Sequence, residues 1–129
     1  MPDPQGPVLF APGEDVGALE DWPFDNPASD YRIVSGAPRA SGRIDAMGGG
    51  GTTRQGIWRC SPGAFDCTEQ GDELMTVLAG RGRLVYLSNG QVILLSPGST
   101  IFLRDRSRVR WVIEETLTKV FFGQKDGGY

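Results

Sequence analysis

The stretch Gly56-Ile57-Trp58-Arg59-Cys60-Ser61-Pro62-Gly63-Ala64-Phe65-Asp66-Cys67-Thr68-Glu69-Gln70-Gly71-Asp72-Glu73-Leu74-Met75-Thr76-Val77-Leu78-Ala79-Gly80 decides the fold. Its two halves are short runs of apolar and β-prone residues around Ser61-Pro62-Gly63, where proline and glycine favour a turn. A polar bend, Glu69 to Asp72, leads into a third β-prone run that stops at Gly80. The segment therefore predicts three strands, Ile57 to Cys60, Ala64 to Thr68 and Leu74 to Ala79.

The same punctuation continues toward the C-terminus. Gly80-Arg81-Gly82 predicts a bend, Arg83 to Leu87 a fourth strand, and Gln91 to Leu95 a fifth. Between those two lies Asn89-Gly90, the pair that best fits a tight hairpin turn. Ser96-Pro97-Gly98 predicts another turn, followed by strands at Ser99 to Leu103, Val109 to Ile113 and Thr118 to Phe122. Turns recur about every ten residues, the spacing of a sandwich or barrel rather than of βα units. The tail, Gly123 to Tyr129, is polar and is expected to be loose.

The N-terminal part differs in character. Pro2, Pro4, Pro7, Pro12, Pro23 and Pro27 interrupt regular structure. Val16, Leu19 and Trp22 recur at helical spacing, which predicts a short helical turn. Trp22 and Phe24 are too apolar for a free tail, so the segment is expected to lie as an arm across the domain or a partner subunit. Tyr31 to Val34 is β-prone, Ser35 to Arg43 is expected to be loop, and Gly48 to Gly51 a loop tip. Residues 1–50 are thus assigned to an arm and loop, and residues 51–129 to a barrel.

Composition narrows the function. The chain has 129 residues with 13 basic and 16 acidic side chains, a net charge of −3, which disfavours nucleic acid as a partner. No apolar run approaches the roughly 20 residues of a membrane helix. The opening Met-Pro-Asp-Pro-Gln-Gly lacks the features of a signal peptide, so a cytoplasmic location with free thiols is expected. There is no histidine, which removes the commonest general base and metal ligand.

The order of turns and strands resembles the cupins, small double-sheet β-barrels of the jelly-roll type. Glu73 and Gly80, with Gly63 upstream, are similar to the first cupin signature; Pro97-Gly98 and Ile101-Phe102-Leu103 are similar to the second. Gly56 to Gly63, Asp72-Glu73, Val77 to Arg81, Trp111 and Lys119-Val120-Phe121 resemble the ethanolamine-utilisation Q group of small cupins and, more distantly, ureidoglycine aminohydrolase. The resemblance implies an all-β cupin-type double-stranded β-helix with an N-terminal arm, and a homodimer. The histidine slots of the signatures fall at Cys67, Glu69 and, near the third, Arg108, so the usual metal-dependent chemistry is not carried over.

Four candidate groups follow. Cys67, Glu69 and Glu73 combine a thiol and two carboxylates that a divalent metal would accept; the plainer reading is an acidic bend beside a core cysteine. Glu73 alone, facing an apolar barrel interior, suits proton transfer, or else forms a structural ion pair with Lys119 or an arginine. Cys60 and Cys67 flank one turn, and two free thiols are expected over a redox pair. Arg104, Arg106, Arg108 and Arg110 alternate, which fits a carboxylate clamp or a solvated edge. Arg59, Tyr86, Arg104, Arg108 and Trp111 are the candidate substrate-binding residues, with Glu73 the candidate catalytic one.

The expected function is metal-independent binding of a small, anionic metabolite, without cofactor and with proton-transfer chemistry: isomerisation, elimination, cyclisation or C–N hydrolysis. The alternatives are an accessory subunit without catalysis, and a divalent-metal enzyme built on Cys67, Glu69 and Glu73.

Overall fold

The computed structural model describes residues 6–129, so Pro2 and Pro4 lie outside the described residues. Among the described residues nine strands form: β1 Glu20–Asp21, β2 Arg32–Gly36, β3 Ala40–Gly48, β4 Thr53–Cys60, β5 Gly63–Thr68, β6 Asp72–Tyr86, β7 Gln91–Leu95, β8 Thr100–Leu103 and β9 Arg108–Gln124. All pair antiparallel. The architecture is the all-β cupin jelly roll.

Strand β9 is the spine. Its first half pairs with β5 and its second half with β4, while β6 runs along the other edge of both halves. The remaining order is β1-β3-β4-β9-β5-β2, with β7 and β8 added to β6. Two long strands therefore stand where four short ones are expected from the turn signals. Gly80-Arg81-Gly82 is a run of bulges inside β6, not a break. Bulges bend and twist a strand without ending its pairing, which is how a flat ladder becomes a curled one. Gly80 has φ +85°, and a Cβ there would collide with the Thr116 carbonyl oxygen of β9. Only glycine lets the two backbones approach so closely.

The Asn89-Gly90 hairpin joins β6 to β7 as expected; Gly90 has φ +78° and donates to the Tyr86 carbonyl at 2.8 Å. Arg106, at φ +67°, turns the chain between β8 and β9.

Three expectations fail. The helical turn over Val16 to Trp22 is absent; a 3-10 turn forms instead at Pro27–Ser29, opened by Asn26, whose side chain accepts from the Ala28 amide. Much of Ser35 to Arg43 is strand, because β3 begins at Ala40 and pairs with β4 from Ala40–Cys60 to Gly48–Thr53. The tail is not loose: β9 continues to Gln124, and the Lys125 and Tyr129 amides donate to the Thr52 and Gly51 carbonyls at 2.8 and 3.2 Å.

The arm docks by aromatic contacts. Trp22 meets Phe121 at 6.3 Å between ring centres, and Phe24 meets Phe65 at 4.5 Å. Gly42 leaves the space that Trp22 fills; a Cβ there would strike the indole. Inward-facing residues of the barrel strands, among them Phe65, Met75, Val77, Leu84, Trp111, Leu117 and Phe121, make one core. At one end this core gives way to charge.

Candidate functional site

Side chains alternate along each strand, so a few register positions define the interior. On β4 the inward row is Arg54, Gly56, Trp58 and Cys60; on β9 its second half is Leu117, Lys119, Phe121 and Gly123. Lys119 thus replaces an apolar residue in a core-facing row. Glu73 enters from the start of β6, and Glu69 from the bend after β5. These groups line a cavity of about 150 Å³, walled by Trp58, Trp111, Phe65, Phe121 and Tyr31 and roofed by Trp22, Phe24 and Ser29 of the arm.

The Lys119 Nζ donates to Glu73 Oε2 at 2.8 Å and touches the Met75 Sδ at 3.2 Å. It lies 4.9 Å from the Trp58 ring centre and 4.6 Å from that of Trp111. The side chains of Lys119 and Glu73 are only 6% and 13% exposed. A buried ammonium persists when a carboxylate and aromatic faces replace its water. Glu69 Oε1 accepts from Trp111 Nε1 at 3.1 Å and from the Cys67 thiol at 3.7 Å. Burial, then repulsion from Glu73, pushes the Glu69 carboxyl above the usual carboxylate range, against the pull of Lys119.

Both cysteines are free and buried. Burial raises Cys60 to about 12, against a lowering influence of Lys119. Cys67 is pushed up by burial and by neighbouring Glu69. Both stay thiols and poor metal ligands. Among the described residues no three Cys, Asp or Glu side chains are placed to share a metal ion. The Lys119 ammonium sits on the Glu73 oxygen that a cation would claim. The donor set of Cys67, Glu69 and Glu73 does not fit a metal.

The structure brings Glu73, Trp111, Cys67 and Glu69 to the cavity but not the other substrate-binding candidates. Arg59, on the opposite face of β4 from Trp58, donates to Thr118 Oγ1 at 2.9 Å. Tyr86 pairs with Gln91 and Val109 at the far end of β6. Arg104 is exposed above the Phe102 ring at 5.8 Å. Arg108 ties the arm down: its Nη1 donates to the Asp30 carbonyl at 2.7 Å, to Thr68 Oγ1 at 3.1 Å and to the Ser29 carbonyl at 3.3 Å. The arginine row is therefore not a clamp facing the cavity. Arg54 is the residue that sequence reasoning missed. Its signal was present, since it lies two and four positions before Gly56 and Trp58 on one strand.

Residues 47–121 fit the EutQ-like cupin domain. The chain belongs to the EutQ-like cupins. Solved cupins share its fold. The Clostridium difficile EutQ protein is 15% identical with a TM-score of 0.59, over 69% of this chain and 70% of that one. A protein of unknown function from Pseudomonas syringae pv. tomato is 20% identical with a TM-score of 0.69, over 83% of this chain but only 44% of the other. A cupin-like protein from Thermotoga maritima is 12% identical with a TM-score of 0.63, over 87% and 82%. At these identities the likeness is one of fold. No curated protein matches the chain. Among the described residues of this cupin, no helix is long and apolar enough to cross a membrane.

Proposed function

We propose that this cupin binds a small, anionic organic molecule in the barrel cavity and moves a proton on it without a metal. The observation that carries the reading is the joint placement of Glu69, Glu73 and Lys119 around one cavity of about 150 Å³. Glu73 and Lys119 neutralise one another at 2.8 Å. Glu69 keeps its proton to higher pH than an ordinary glutamate. With Arg54 in the same wall, the lining carries a net positive charge whenever Glu69 is protonated, which favours an anion. Glu69 serves as the acid, and the Glu73–Lys119 pair takes up and returns a proton beside it. Isomerisation, elimination, cyclisation and C–N hydrolysis all use such a relay.

The test has two stages. Small organic acids are screened by thermal shift and by quenching of Trp58 and Trp111 fluorescence. Acids that bind are then incubated with the protein in heavy water, and deuterium entry at carbon is followed by NMR. Deuterium entry that is lost in Glu69→Gln and Glu73→Gln, with binding kept, supports the reading. Binding without exchange favours the accessory subunit. Stoichiometric zinc, iron or nickel in untagged protein purified without chelator overturns metal independence.

A further inference from the structure

Arg54 carries a feature shared by no other side chain among the described residues. Its Nε is buried and has no hydrogen-bond partner. Buried polar nitrogens are almost always paired, because an unpaired one has given up its water with nothing in exchange. The other arginines inside or beside the barrel are answered: Arg110 by Asp66, Arg108 by the arm, Arg59 by Thr118 and Arg43 by Asp45 and the Val16 carbonyl. Arg54 takes part in no ion pair among the described residues, yet it lines the cavity.

Its guanidinium is held by aromatic rings. The Tyr129 ring lies 3.8 Å from its central carbon, and the Phe121 ring 5.8 Å. The stack is built into the fold, for a Cβ at Gly123, the residue opposite Arg54 on β9, would collide with the Tyr129 hydroxyl. A guanidinium stacked on an aromatic face keeps its in-plane N–H groups for hydrogen bonding, the geometry that accepts a carboxylate through two parallel hydrogen bonds.

We infer that Arg54 is the seat of a ligand carboxylate, and that the ligand is a small, planar monocarboxylic acid. This deepens the reading of the cavity as a binding site and rests on it. A cavity of this volume holds about one benzene-sized body. The aromatic walls favour a flat one. The carboxylate on Arg54 leaves the rest of the molecule to reach Glu69, Glu73 and Lys119. Arg54 therefore sets specificity and orientation, and the three other groups do the chemistry.

Benzoate, benzamide, benzylamine and inorganic phosphate are the probes, titrated against wild type, Arg54→Met and Arg54→Lys by tryptophan fluorescence. Wild type binds benzoate roughly tenfold or more tightly than benzamide, the loss expected for one charge-assisted bidentate contact. Arg54→Met removes that preference and leaves benzamide binding unchanged; Arg54→Lys keeps part of it. Arg54→Met also leaves the melting temperature of the ligand-free protein unchanged or raised, because the group removed has an unpaired nitrogen; a purely structural arginine would give a fall. Equal binding of benzoate and benzamide by wild type, or a preference that survives Arg54→Met, overturns the role of Arg54 while the cavity stands. Phosphate binding more tightly than benzoate overturns the carboxylate. Failure of every probe on folded wild type overturns both the inference and the cavity reading beneath it.

Discussion

Two oppositely charged pairs hang on the same spine, and they differ in what they leave unanswered. Asp66 and Arg110 face each other across β5 and β9. Arg110 donates to both carboxylate oxygens, at 2.7 and 3.2 Å, and its side chain is 37% exposed. Those hydrogen bonds hold the Asp66 carboxyl below its usual range. Each partner's needs are met by the other, and the pair is structural. Glu73 and Lys119 form a single contact at 2.8 Å inside the barrel, beside a third ionisable group and an open volume. Glu69 has a raised carboxyl where Asp66 has a lowered one. The contrast teaches that ion pairing by itself does not mark a site. A site arises where charge is buried, incompletely cancelled and next to space.

Removing one half of the inward pair breaks the comparison most severely. Lys119→Met leaves Glu73 buried without a partner and is expected to lower unfolding stability by about 3–5 kcal/mol. Chemical denaturation measures this, and adding Glu73→Gln to Lys119→Met is expected to restore much of the loss. A smaller effect comes from the roof. Trp22→Ala removes the contacts with Phe121 and Gly42 and is expected to cost about 2–3 kcal/mol. It also admits water to the cavity, so the Glu69 carboxyl moves back toward the ordinary range in an NMR titration.

Glu69→Gln sharpens the comparison with a sign. The folded state holds the Glu69 proton more tightly than the unfolded chain does. Its favourable contribution is therefore full below the ordinary glutamate range and is lost as pH rises through the folded value. Glutamine keeps an acceptor for Trp111 without the charge. The variant is expected to be more stable than wild type by about 0.5–2 kcal/mol at neutral pH, and the gain disappears on acidification. Asp66 has the opposite sign: its contribution is present above the ordinary aspartate range and is lost as pH falls through the folded value. Arg110→Met is expected to cost about 1 kcal/mol, less at high salt, because the pair is partly solvated. Melting curves across pH and ionic strength separate the two behaviours.

Turn chemistry made most of the barrel legible in the sequence. Asn89-Gly90 and Pro97-Gly98 mark real turns, and every expected strand from Ile57 onward overlaps an observed one. What misled was glycine inside a strand. Gly80 and Gly82 look like ends, yet they allow β6 to bend against β9 without losing its pairing. β3 was hidden because Gly42 and Ser41 have weak strand preference; the Trp22 packing that requires Gly42 is tertiary. Residues 1–50 thus supply a strand, β3, that pairs with β4 as well as the arm.

At the site, Glu73 was singled out because it keeps its place in the cupin signature, and of its two expected partners, Lys119 or an arginine, the structure has Lys119. The arginine row drew attention through sequence density, but density does not give direction. Arg108 and Arg110 point to the arm and to Asp66. Arg54 shares the strand spacing of Gly56 and Trp58 in the sequence, but its stack on Tyr129 comes only from the fold.

The account stands most directly on the protonation of Glu69. Its carboxyl carbon can be followed by 13C NMR through a pH titration, with Glu69→Gln for assignment and Glu73, Lys119, Cys67 and Arg54 left intact. The account predicts a midpoint above the ordinary glutamate range that shifts when benzoate is added. A midpoint at or below that range, unmoved by benzoate, would contradict it.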